Sequence, residues 1–180
     1  MKIKELLNEV NDDTTTTKEK GTYAGLKIRP QDEEAIFHLT KKMDLPSPIK
    51  KEDIHLTLLF SRKYLPDYQP LKTVNYEAKP TRFEIFGQEQ KILVLKLESN
   101  ELVKRHKELM KEHDATYDFD EYIPHITLSY DLGNEYLGGD MENDVLLDKI
   151  SEEFLKEIPD RISIIKEYKE DLDLNWKENK

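Results

Sequence analysis

Two tripeptides hold residue types that could do chemistry together, His55-Leu56-Thr57 and His125-Ile126-Thr127. An imidazole titrates near neutral pH, so one histidine can take a proton while the other, protonated, gives one. A threonine hydroxyl can donate to a non-bridging phosphate oxygen, whose charge changes during reaction. Two such units flanking one phosphate permit in-line attack, with the roles of the histidines exchanging between steps. Spacing alone leaves open which histidine is the first base. A metal centre would need more ligands, yet the chain has no cysteine and neither motif brings closely spaced carboxylates. The predicted chemistry is therefore phosphoryl transfer without metal or cofactor, with His55, Thr57, His125 and Thr127 as catalytic residues.

These side chains act together only if the backbone aims them together. In a strand, residues i and i+2 share a face. Strands over Glu52 to Phe60 and Ile123 to Tyr130 would put each His and Thr on one face, and Ile54, Leu56, Leu58, Ile126 and Leu128 on the other. Further strands are predicted at Gly21 to Arg29, Val74 to Ala78, Arg82 to Phe86, Lys91 to Glu98 and Arg161 to Tyr168. Helices are predicted at Gln31 to Met43, Glu101 to His113 (capped by Asn100) and Val145 to Ile158. Each motif strand follows a strand and a helix. The order predicts an α+β fold with two similar lobes, their motif strands facing across a cleft.

Hydrophobic and charged residues each make up 37% of the 180, a patterned globular composition. Residues 1–20 include four consecutive threonines and read as a mobile N-terminal arm, while the compact pattern begins at Gly21 and reads as a single domain over 21–180. No apolar run reaches the roughly 20 residues that span a bilayer, and the N-terminus lacks a secretory pattern. The expectation is a cytoplasmic protein with no membrane partner. A formal charge of −10 argues against gripping long nucleic acid, which usually needs a basic surface. A small phosphate ester fits better. Nothing in the sequence sets the oligomeric state.

The paired motifs resemble the two-histidine (2H) phosphoesterase superfamily, and two longer stretches resemble one branch of it. Ile54 to Tyr68 is similar to the first-motif region of phage-encoded anti-CBASS nucleases, and Tyr122 to Tyr130 to their second. Gly21-Thr22-Tyr23 matches their opening strand. The resemblance implies the two-lobed 2H phosphoesterase (LigT-like) fold, with antiparallel sheets around a central cleft and helices outside. It also implies a substrate: cyclic di- and trinucleotides of bacterial immune signalling, cut at 3′–5′ linkages without metal. The substrate's own 2′-hydroxyl would attack, giving a 2′,3′-cyclic phosphate that water then opens.

The same resemblance points to base-binding residues. Tyr23 would stack on a base, Trp176 would contact the nucleotide, and Glu170 would accept from a base amino group. The alternative for Tyr23 and Trp176 is packing. Phe86 and Tyr122 are weaker candidates, and Tyr64 and Tyr68 could gate the cleft. Arg62 and Lys63 either draw in phosphates or form a solvated loop. His38, His106 and His113 read as structural or solvent-facing. Two other functions keep the motifs: an RNA 2′,3′-cyclic phosphodiesterase related to RNA ligase-like 2H enzymes, and a non-catalytic messenger-binding sponge or sensor.

Overall fold

The computed structural model describes residues 19–175. The elements are β1 (Lys20–Ile28), α1 (Pro30–Lys42), β2 (Leu56–Ser61), β3 (Tyr76–Phe86) and β4 (Ile92–Glu98), then α2 (Asn100–Glu112), β5 (His125–Ser129), α3 (Asn143–Phe154) and β6 (Ile162–Asp173). Most of the expected arm and all of Trp176 lie outside the described residues, while Lys20 already belongs to β1.

The helices form where their ends are chemically marked. Pro30 supplies the fixed φ suited to a first turn, Asp32 and Glu33 face the positive end of the α1 dipole, and Lys41 and Lys42 the negative end. Along α2, Leu102, His106 and Leu109 recur every three to four residues and are buried. Ser99, and not Asn100, caps this helix: its Oγ accepts from the Leu102 N–H at 3.4 Å. On α3 the buried stripe is Leu146, Ile150 and Phe154. That helix ends at Phe154, short of the expected Ile158, and tightens into a 3-10 turn over Leu155–Glu157.

The strands build one antiparallel six-stranded sheet in the order β2-β1-β6-β3-β4-β5. The expected separate strands at Val74 to Ala78 and Arg82 to Phe86 are one strand, β3. Pro80 is tolerated there because the β3–β4 register shifts between Pro80 and Arg82, as a bulge allows. The β6 strand runs past the expected Tyr168 to Asp173. Five strand spacings would set the two edges about 24 Å apart in a flat sheet. Instead β2 and β5 touch, so the sheet curls strongly.

The two halves of this sheet repeat one register. In β2-β1-β6, Leu58 falls in the shift between Thr57 and Leu59, and Ile165 in the shift between Ile164 and Lys166. In β5-β4-β3, the corresponding unpaired residues are Leu128 and Thr81. Each motif strand thus bulges at the residue directly after its threonine. Alternation resets there, so Leu58 and Leu59 are both buried, as are Leu128 and Ser129. One continuous core joins these leucines to Ile36, Leu39, Leu102, Leu109, Leu146 and Ile150 of the helices.

Candidate active site

His55 sits immediately before β2 and His125 begins β5. Both are half-buried and both imidazoles are held alike. The His55 Nδ1 bonds the carbonyl of Asp53, and the His125 Nδ1 bonds the carbonyl of Ile123 at 2.8 Å. A carbonyl can only accept, so each Nδ1 carries its proton. In the neutral ring Nε2 is then the proton acceptor, and neither Nε2 has a hydrogen-bond partner among the described residues.

The threonines share the half-buried face with these rings. Tyr23 Oη and Thr57 Oγ1 are 3.0 Å apart, and the Tyr23 ring meets His55 edge-on at 6.1 Å. Burial pushes the Tyr23 phenol well above its ordinary range, which keeps it a donor. Glu170 stands directly across from Tyr23 in the β1–β6 ladder. Four of the expected catalytic residues and two of the expected base-binding residues therefore lie on one face. Gly25 lies between them: a Cβ there would come within 2.2 Å of the Tyr168 ring, so the close approach of Tyr168 to β1 requires glycine.

The two motifs are also tied through their backbones. Tyr122 donates its hydroxyl to the Thr57 carbonyl at 2.8 Å. His106 of α2 donates through Nδ1 to the carbonyl of Leu58, the bulged residue, at 2.7 Å. Their rings stack at 4.4 Å and 6°. Burial lowers the His106 pKa, favouring a neutral ring, and the Leu58 carbonyl partly opposes this. His106 is structural, as its helical stripe predicts, and Tyr122 works through the backbone.

Burial likewise lowers the His125 pKa; the Ile123 carbonyl raises it, the His55 charge lowers it and the Glu84 carboxylate raises it. Phe86 packs edge-on against the same ring at 5.0 Å. Glu84 and its neighbour Lys96 escaped the sequence reading. The signal was present: Lys96 continues the Ile92, Val94 face of β4 between Leu95 and Leu97, where a charge has to meet something polar.

Several other candidates are placed elsewhere. Arg62 is bidentate to Asp118 through Nε and an Nη, at 2.9 to 3.1 Å, and Lys63 binds Asp114 at 2.8 Å. Both tie the end of β2 to the loop after α2. Tyr68 is not a gate: it is buried, with its hydroxyl on Glu167 at 3.1 Å, beside an Arg105–Glu167 ion pair. Tyr64 is exposed. Among the described residues, no three His, Asp or Glu side chains are grouped to hold a metal ion, and no helix is long and apolar enough to cross a membrane.

Fold and site together define an α+β protein with a His-x-Thr unit at each edge of one curled antiparallel sheet. More narrowly, the chain belongs to the anti-CBASS protein Acb1 family, whose model matches residues 20–179. It is similar to the anti-CBASS protein Acb1 of Enterobacteria phage T4, with 34% identity over 87% of this chain and 91% of that one. The Acb1 of Salmonella phage S16 is 32% identical over 88% and 93% of the two chains, and that of Acinetobacter phage Ac42 34% over 88% and 95%.

Proposed function

We propose that this protein is a metal-independent phosphodiesterase that hydrolyses 3′–5′ bonds of cyclic di- and trinucleotide immune messengers, and so lets a phage evade host CBASS defence from the host cytoplasm. Membership of the anti-CBASS family supports the biological role. The observation that carries the chemistry is the matched pair of imidazoles, each with Nδ1 tied to a carbonyl and Nε2 without a hydrogen-bond partner among the described residues. We also take residues 21–180 as one 2H phosphoesterase domain of two pseudo-symmetric lobes; the repeated bulges support this.

His125, whose neutral form burial favours, takes the proton of the attacking 2′-hydroxyl at Nε2. The new 2′-O–P bond forms as the P–O5′ bond breaks, and His55, protonated, gives its proton to the departing 5′ oxygen. In the second step the roles exchange, and water opens the 2′,3′-cyclic phosphate. Thr57 and Thr127 donate to the non-bridging oxygens, and Tyr23 steadies Thr57. The adjacent 2′-hydroxyl supplies the effective concentration that a bimolecular attack would lack. Tyr23 stacks on a base, Glu170 accepts from a base amino group, and Trp176 contacts the nucleotide.

The test is product analysis over time in EDTA with a panel of 3′,3′-cyclic dinucleotides, cyclic trinucleotides and RNA ending in a 2′,3′-cyclic phosphate. Loss of a cyclic substrate through a transient cyclic phosphate is expected. Cleavage of the RNA alone would replace this reading with the RNA enzyme, and binding of messenger without turnover would replace it with a sponge.

A further inference from the structure

A cyclic oligonucleotide brings at least two phosphodiesters, and the paired motifs engage one. The other anion has to be accommodated by a chain of formal charge −10, which calls for a local cation. The sheet face that presents the motifs offers two rows of them. Lys96 stands across from His125 in the β4–β5 ladder, and Arg82 stands across from Lys96 in the β3–β4 ladder. In the other half, continuing the β1–β2 ladder by one residue sets Lys27 across from His55, and Lys166 stands across from Lys27. The rows are equivalent in register, but their donors are not equally engaged.

Lys27 is occupied. Its Nζ donates to the Glu52 carbonyl at 3.2 Å and lies over the Tyr168 ring at 5.4 Å. Lys96 makes no side-chain hydrogen bond among the described residues, although its side chain is only 24% exposed. Its nearest partner is Glu84 Oε2 at 4.0 Å, too far for a hydrogen bond, and that oxygen is itself buried without one. Leaving an ammonium half-buried without a hydrogen bond is costly unless an anionic ligand completes it. Arg82 gives one Nη to Glu84 Oε1 at 2.9 Å and keeps its other donors. Two cations against one carboxylate leave this cluster one positive charge in excess.

We propose that Lys96 and Arg82 form the subsite for the phosphate that is not being cut, with Glu84 bonded to Arg82 and facing Lys96 across 4.0 Å. This rests on the reading of the protein as a cyclic oligonucleotide phosphodiesterase. The row from His125 to Arg82 crosses two strand spacings, about 10 Å, so a second phosphate can sit on it while the first lies between the imidazoles. The substrate is thereby oriented: a base toward Tyr23 and Glu170 in one half, the spectator phosphate toward Lys96 in the other. Lys96 is in this sense a specificity residue for substrates with more than one phosphate.

The test compares a 3′,3′-cyclic dinucleotide with a linear dinucleoside monophosphate, which has the same 3′–5′ bond and 2′-hydroxyl but a single phosphate. For Lys96→Met, the ratio of kcat/KM for the cyclic over the linear substrate should fall about ten- to hundredfold, mainly through KM. Lys96→Arg should restore most of the ratio, and Arg82→Gln should lower it less. An unchanged ratio, with both substrates losing equally or neither losing, would overturn the subsite. If the wild type cut neither substrate, the phosphodiesterase reading would fall, and calorimetric binding of the cyclic dinucleotide would decide the subsite by itself. Weaker binding by Lys96→Met than by wild type would then support it, and equal or absent binding would overturn it.

Discussion

Tyr122, three residues before the second motif histidine, donates its hydroxyl to the backbone carbonyl of Thr57 in the first motif at 2.8 Å. The separation of the two half-sites is thus fixed by a side chain of one reaching the main chain of the other. Removing that hydroxyl as Tyr122→Phe leaves the carbonyl without its partner and should destabilise the protein by about 1–2 kcal/mol. Turnover should fall more than substrate affinity, because the half-sites lose their spacing and not their binding groups. Urea unfolding and steady-state kinetics would check this; wild-type behaviour in both would remove Tyr122 from the positioning role.

The two histidines should act as one unit. His55→Ala and His125→Ala are each expected to lower kcat by about 10³-fold or more, and the double variant should be hardly worse than either single one. Single-turnover kinetics measures the three variants, with calorimetry to show that messenger binding survives. Additive losses would mean that the imidazoles work independently.

Burial lowers the His125 pKa, and the Glu84 carboxylate opposes that shift. Glu84→Gln removes the opposition, so the His125 titration should move to lower pH, with the acid limb of the kcat/KM profile following it. Histidine NMR titration reads the same shift directly. A limb that stays in place, or moves up, would exclude Glu84 from the electrostatics of the site.

Stability should carry the same signature. His106 and His125 both have lowered folded pKa values, chiefly from burial, against about 6.5 in the unfolded chain. Above that pH both states are neutral and these residues contribute no pH dependence. As pH falls below it, the unfolded chain binds protons first, and stability should drop until the folded pKa values are passed. Urea melts between pH 7.5 and 5 should show this loss, and His106→Gln should make it shallower.

Gly25→Ala places a methyl against the Tyr168 ring and should cost about 1–3 kcal/mol through overpacking. Adding Tyr168→Ala should recover part of that loss if the ring is its cause. Thermal melts of the single and double variants would decide it.

Much of the scaffold was legible in the sequence because its signals are local. Pro30, the acidic first turn and the Ile36, Leu39 spacing mark α1, and alternation marks the strands that carry the motifs. What escaped depends on contacts between distant residues. Nothing near Leu58 or Leu128 announces a bulge, since leucine suits a regular strand equally well; the shift exists because β1 and β4 impose it. Val74 to Ala78 and Arg82 to Phe86 read as two strands because a local rule cannot see the bulge that carries Pro80 within one. Arg62 and Lys63 looked available for phosphate until the loop after α2 brought Asp118 and Asp114 onto them. The motif residues stood out early, while the cations beside them became visible only through register.

Both motif strands are the outermost strands of the sheet, and an outer strand is a template onto which another chain can add. The contacts that shape the site also occupy that template. Ile49 and Tyr130 exchange backbone hydrogen bonds with Leu128 and Ser47 along β5, while Tyr122 and His106 take up the carbonyls of Thr57 and Leu58 on β2. The bonds that hold the motif strands in place therefore also cover the two edges of the sheet, so variants that loosen the motifs should also be the ones that aggregate.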